Sequence, residues 1–117
     1  MFASHLRFHG IGPREPWIFG TEVEGIVRDW LTLRYRLIPY LEACLAAAER
    51  TGLPPLRAMP LAFPDQPEAW GFDTQYMLGP DLLVAPILAP GGTVRVYLPP
   101  GRRHRFPKGR PSRVVAP

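Results

Sequence analysis

A chain of 117 residues with 46% apolar residues has the size of one small domain and too much apolar content to be disordered throughout. Its one cysteine, Cys44, excludes an internal disulfide framework, and no uncharged run approaches the roughly 20 apolar residues of a membrane-spanning helix. The formal charge of +4 is unevenly spread: residues 1–101 carry 8 Lys and Arg against 10 Asp and Glu, while residues 102–117 carry 6 basic residues and no acid. The body is therefore mildly acidic and the basicity is a tail, RRHRFPKGRPSR. Such a tail can touch phosphates. Only Phe106 interleaves it, however, and no nucleic-acid-binding fold precedes it. It reads as a solvated, poorly ordered terminus, and nucleic acid is not an expected partner. The start lacks a charged segment followed by an apolar run, so no signal peptide is read and a cytoplasmic location is expected.

Residues 1–10, MFASHLRFHG, alternate weakly and end in Gly10, which predicts a short strand whose last residues reach a loop. Residues 11–20 hold two prolines and two glycines and read as an ordered loop anchored by Trp17 and Phe19. Residues 21–50 form the longest stretch with one period. Val23, Val27, Trp30, Leu31, Leu37, Ile38, Leu41, Leu45 and Ala48 recur mostly at three- and four-residue spacing, which predicts a helix with one apolar stripe. Thr21 and Glu24 have the spacing of a capping box, and Gly52 stands where a left-handed C-cap is expected. Pro39 removes one helical hydrogen bond and predicts a kink near Arg36 to Ile38. Cys44 lies within this helix and reads as a small buried hydrophobe. A helix this apolar requires a large partner surface.

Residues 53–63 alternate enough for a strand but carry three prolines, which confines it to a sheet edge or end. Residues 64–72 read as a turn region, and residues 73–78 as a short helix stopped by Gly79. Residues 82–88, LLVAPIL, read as a strand buried on both faces. Pro90-Gly91-Gly92 turns it back into an alternating strand, residues 93–98. The order strand, long helix, strand, short helix, hairpin is α/β, with a β-α-β outline up to a domain boundary near Gly79.

Ser4, His5, Arg7 and His9 are the sharpest chemical cluster. In an extended segment His5, Arg7 and His9 share one face, and an imidazole there can donate to a sugar hydroxyl or a carboxylate. The other reading is that one histidine caps a loop and Arg7 pairs with an acid such as Glu15. Asp65, Glu68 and Asp73 sit near turns. A glycosidase needs two carboxylates about 5–9.5 Å apart across the scissile bond, and nothing in the sequence places any two of these in that relation. Ser4 has no nucleophile-elbow setting. No metal-ligand spacing and no phosphate-binding glycine loop is present, so neither metal nor cofactor is expected.

The segments SHLRFHG (4–10), REPW (14–17), LRYRLIPYL (33–41), TGLPPLRAMPLAFPD (51–65), QYMLGPDLLVAPIL (75–88) and VYLPPGR (96–102) together resemble glycoside hydrolase family 31, the α-glucosidase and α-xylosidase family. The resemblance covers nearly all of residues 4–102. It implies the fold class of a (β/α)8 barrel fragment followed by the start of a β-sandwich. SHLRFHG is then the end of barrel strand seven, the long kinked helix follows it, and PLRAMPLAF is strand eight. The implied domains are residues 1–79 for the barrel end, 80–101 for the sandwich start and 102–117 for the tail. The implied chemistry is retaining hydrolysis with one Asp as nucleophile and a second as acid/base, and no motif in this chain matches either. His9, in the R-x-H pattern, is implied to hydrogen-bond the sugar in the −1 subsite. Arg7 is implied to orient the loop, and Arg57 to be structural. The chain departs from the family at Gln66, where a second Asp is usual after Pro64-Asp65, and at Arg103, where Trp is usual.

The expectation is thus a fragment, cut at both ends, of an enzyme whose partners are a carbohydrate substrate and the remainder of its barrel. By itself it is expected to be inactive and to self-associate through its exposed helix face. A different class is a non-catalytic remnant or interaction protein that packs through the same apolar stripe. A third is a nucleic-acid binder acting through the basic tail.

Overall fold

The computed structural model describes residues 2–90, 92–101, 104 and 106. They fall into two compact units, Met1–Leu56 and Arg57–Pro117.

The first unit is built on two consecutive helices, α1 (Thr21–Arg36) and α2 (Ile38–Thr51). Glu22 and Glu24 lie in the first turn of α1 and Arg34 and Arg36 in its last, each sign at the end of the helix dipole that favours it. The break between the helices is where Pro39 dictates. Pro39 has no N–H for the Tyr35 carbonyl, and Leu37 takes φ −90° and ψ −3°. The Leu37 N–H tightens onto the Arg34 carbonyl at 2.9 Å while keeping the Leu33 carbonyl at 3.2 Å. Leu41 resumes the regular pattern by donating to Leu37 at 3.0 Å. Gly52 ends α2 with φ +73°, and its N–H meets the Ala48 carbonyl at 2.8 Å.

The capping box is not formed. Gly20 is the N-cap, without a side-chain cap hydrogen bond, because Thr21 already lies inside the helix. Glu24 instead pairs with Arg28 one turn on. The buried stripe also differs from the expected one. Leu33, Leu41 and Cys44 are the buried positions, and Trp30, Leu37 and Ala48 flank them half-buried. Val23, Ile26, Ile38 and Leu45 are exposed. A one-turn 3₁₀-helix, Pro16–Phe19, precedes α1 and packs against it.

Residues 2–10 form no strand. A strand needs a neighbouring backbone, and here the Ala3 and Ser4 carbonyls are taken by a side chain of α1 instead.

Further along, β1 (Leu56–Ala58), α3 (Met59–Ala62), a 3₁₀-helix (Pro67–Gly71), β2 (Tyr76–Leu78) and β3 (Leu82–Val84) follow in order. The expected strand over 53–63 is reduced to β1. Pro54 and Pro55 cannot donate to a ladder, and Pro60 is accepted in the first turn of α3 where its missing N–H costs nothing. The three strands form one sheet in the order β1-β2-β3.

Residues 76–78 are strand, not helix. They pair antiparallel with β3 in the register Tyr76–Val84, Met77–Leu83 and Leu78–Leu82. Gly79, at φ +61°, allows the tight turn between them. This hairpin replaces the one expected between 82–88 and 93–98: β3 stops at Val84, and residues 93–98 carry no strand. Gly79, where the sequence suggested a domain boundary, stands inside this hairpin.

Met59, Ala69, Met77 and Leu78 are the buried apolar core of the second unit, with Gln75 buried among the polar residues. The side chains of Phe72 and Tyr97 pack with ring centroids 5.6 Å apart, and the Arg95 guanidinium lies 5.3 Å over the Phe72 ring. Of the basic tail only His104 and Phe106 are described, both exposed, so the expected disorder of 102–117 concerns residues outside the description. No helix among the described residues is long and apolar enough to cross a membrane.

Candidate functional site

The segment that carries the candidate site is held on α1. Arg34 of α1 is half-buried next to the buried Leu33. Its fork donates to two successive backbone carbonyls, Nη1 to Ala3 at 2.5 Å and Nη2 to Ser4 at 2.9 Å. One turn earlier, Trp30 meets Phe2 edge to face with centroids 5.7 Å apart. The chain then runs outward, and residues 5–10 are exposed.

On this outer stretch Arg7 and His9 form a pair. Arg7 Nη2 donates to His9 Nδ1 at 2.9 Å. A guanidinium is only a donor, so Nδ1 is the acceptor and the neutral ring carries its proton on Nε2. That proton is the group an imidazole offers to a hydroxyl oxygen. The period-two arrangement expected of the segment is therefore realised for these two residues without a strand around them.

His5 and Ser4 form a second, separate pair at 3.3 Å. The four residues are two pairs rather than one cluster. Glu15 does not take Arg7; its Oε2 accepts from the Arg14 N–H at 3.0 Å. The Arg14 side chain folds back over Gly10, where an added Cβ would lie 2.7 Å from its Nε. His9, Gly10, Arg14, Glu15 and Trp17 line an open groove of about 380 Å³.

The three carboxylates weighed in the sequence, Asp65, Glu68 and Asp73, are all exposed residues of the second unit. Arg57 is half-buried in β1. Gln66, one of the departures from the family pattern, accepts a hydrogen bond from the Tyr97 hydroxyl at 3.1 Å. Among the described residues no three His, Cys, Asp or Glu side chains are grouped to hold a metal ion. Cys44 is buried.

Two residues escaped the sequence reading. Arg34 was hidden within the helical pattern, although a charge between Leu33 and Leu37 on a buried stripe signals a polar partner. Gln75 gave no signal, because its partner is 22 residues away.

Residues 1–43 match the TIM-barrel domain of the glycosyl hydrolases of family 31, and residues 52–111 match the C-terminal domain of the same family. The chain belongs to glycosyl hydrolase family 31. The chain is 39% identical over 100 residues to an α-xylosidase of Emericella nidulans, covering 85% of this chain and 13% of that protein. It is 35% identical over 104 residues to α-glucosidase 2 of Bacillus thermoamyloliquefaciens, covering 86% and 13%. The backbone superposes on a family 31 α-xylosidase from a soil metagenome, solved with xylose, with a TM-score of 0.71 and 45% identity over 77% of this chain and 14% of that one. The chain thus spans about an eighth of the length of these relatives. A barrel-domain match followed by a C-terminal-domain match agrees with the coarse fold class read from the sequence, a barrel fragment followed by a sheet domain.

Proposed function

We propose that this chain supplies part of the sugar-binding subsite of a retaining family 31 hydrolase acting on α-glucosides or α-xylosides, and not its catalytic carboxylates. The observation that carries the reading is the Arg7–His9 pair, which fixes the imidazole and leaves its Nε2 proton as a donor at the rim of a groove. In this reading residues 4–10 end barrel strand seven, α1 and α2 form the helix after it, and β1 belongs to strand eight. His9 donates to a hydroxyl of the sugar in the −1 subsite, and Arg7 orients it. Hydrolysis requires two carboxylates that flank the bond; in this reading they come from elsewhere in the enzyme, and Asp65, Glu68 and Asp73 keep turn and cap roles at the surface. The chain alone is therefore expected to be inert toward aryl α-glucosides and α-xylosides.

The test is His9→Ala in a full-length family 31 enzyme carrying this segment. Loss of a hydrogen bond that strengthens in the transition state should lower kcat/KM roughly ten- to a hundredfold, about 1.5–3 kcal/mol. Unchanged kcat/KM with intact folding removes His9 from the subsite.

A second reading is a non-catalytic protein that packs through its helices. The exposed Val23, Ile26, Ile38 and Leu45 favour it. Activity that returns when the chain is combined with the rest of a barrel supports the first reading, and a stable complex without activity supports the second.

A further inference from the structure

We propose that Arg14 is a second sugar-contacting residue of the groove that holds His9, and that Gly10 gives its guanidinium that place. The proposal rests on the sugar-binding reading of His9 given above and adds to it a donor that decides specificity.

Arg14 is fitted onto Gly10. A Cβ at Gly10 would lie 2.7 Å from Arg14 Nε, 3.3 Å from its Cζ and 3.4 Å from its Nη2. The guanidinium therefore occupies the space that a side chain at position 10 would need. It is the far end of a long side chain with many rotamers, so a larger residue at position 10 displaces it rather than unfolding the loop. Gly10 follows His9 directly, and His9 and Arg14 line the same groove. A bare Cα beside the imidazole thus brings a charged fork of donors to the rim that His9 occupies.

The two donors are complementary. Arg7 takes His9 Nδ1, which leaves the imidazole with one N–H to offer. The Arg14 guanidinium offers several in one plane and accepts nothing. The acceptor stands next to it. Glu15 lines the groove as well, and its Oε2 is tied to the Arg14 backbone N–H at 3.0 Å.

A sugar hydroxyl both donates and accepts, so a donor and an acceptor on neighbouring residues suit adjacent hydroxyls of one ring. The opposite charges of Arg14 and Glu15 favour an uncharged sugar over a sugar acid, whose carboxylate Glu15 would repel. Trp17 supplies an aromatic wall to the same groove. The ligand class is thus a neutral pyranose with adjacent free hydroxyls. His9 takes one of them and Arg14 another.

The experiment uses a full-length family 31 enzyme carrying this segment, assayed on an aryl α-glycoside and on analogues that each lack one ring hydroxyl. Arg14→Ala should lower kcat/KM on the complete glycoside roughly ten- to a hundredfold, the range of a hydrogen bond to a charged group. On the analogue that lacks the hydroxyl Arg14 holds, the same substitution should cost less than about twofold. His9→Ala should show its smallest loss on a different analogue. Arg14→Lys keeps the charge without the fork and should recover part of the loss. Gly10→Ala should cost at least about fivefold in the parent enzyme. In the Arg14→Ala background it should cost less than about twofold, because the group it displaces is already gone.

Unchanged kcat/KM in Arg14→Ala overturns the proposal. So does a loss of equal size on every analogue, since Arg14 would then brace the loop and touch no hydroxyl. Gly10→Ala with the same cost in both backgrounds overturns the role of Gly10. Arg14 is exposed, and an Arg14→Ala enzyme that no longer melts cooperatively would assign it to the fold instead. A failed His9→Ala test beside an intact Arg14 dependence removes the His9 reading alone, and the reverse result removes Arg14 alone.

Discussion

Gln75 holds Tyr97 by both ends of one amide: Nε2 donates to the Tyr97 carbonyl at 2.7 Å, and Oε1 accepts from the Tyr97 N–H at 2.9 Å. The side chain thereby acts as a strand of one residue. It satisfies both backbone groups of Tyr97 where no ladder reaches them. The same amide nitrogen lies 3.5 Å from Met59 Sδ, within the core of the second unit.

Gln75→Leu should leave both Tyr97 backbone groups without these partners. An orphaned polar group costs about 1–3 kcal/mol when it stays buried, and Tyr97 is half-buried, so the lower part of that range is expected. Exchange of the Tyr97 amide should quicken at least about tenfold, since 1.4 kcal/mol is one decade. An unchanged exchange rate would show that the segment is held by the Phe72 ring contact instead.

Gly25 and Gly52 should respond to alanine with opposite signs. Gly25 is inside α1, and an added Cβ meets nothing within 4 Å. Gly25→Ala should stabilise by about 0.5–1 kcal/mol through helix propensity. Gly52 sits at φ +73°, where a Cβ is strained although space is open. Gly52→Ala should destabilise by about 1 kcal/mol. Denaturant midpoints of the two variants, measured side by side, decide it.

Tyr76 gives the second unit an alkaline sensitivity. Burial raises its pKa above the ordinary value of 10.0. The folded state therefore keeps the phenolic proton over a range in which the unfolded chain releases it. Its contribution to stability is whole below pH 10 and is lost as pH rises through the folded value. Tyr76→Phe should remove that part of the alkaline fall in stability and leave the neutral plateau in place. The same alkaline slope in both chains would refute the assignment.

The helices leave Val23, Ile26, Ile38 and Leu45 exposed, the last three between 38% and 49%. Each large side chain is worth about 1.5–3 kcal/mol when covered, so the face favours a partner surface. The chain alone should self-associate in sedimentation and bind a hydrophobic dye. Paired Ile26→Gln and Leu45→Gln substitutions should weaken both. A monomer with a sharp cooperative melt and no dye binding would instead mark an independent domain.

Local rules carried far along this chain. The helical run from Thr21 to Thr51, its break beside Pro39, the left-handed Gly52 cap and the burial of Cys44 are all legible in the residues. Each depends on neighbours within about four positions. Short apolar segments gave less. Residues 76–78 and 82–88 fit several pairings equally well by composition, and their local preferences are weak. Which backbone came alongside decided the outcome: β3 took β2 across Gly79 and left residues 93–98 without a ladder.

The site divides in the same way. The R-x-H spacing of Arg7 and His9 was enough to bring them together, because two residues apart in an extended segment is a local relation. The grip of Arg34 on Ala3 and Ser4 spans about 30 positions, and that of Gln75 on Tyr97 spans 22. A backbone carbonyl is the same acceptor at every residue and carries no mark in the sequence of the side chain that will find it. Only the folded chain determines which donor arrives, and it does so by burying the competing water.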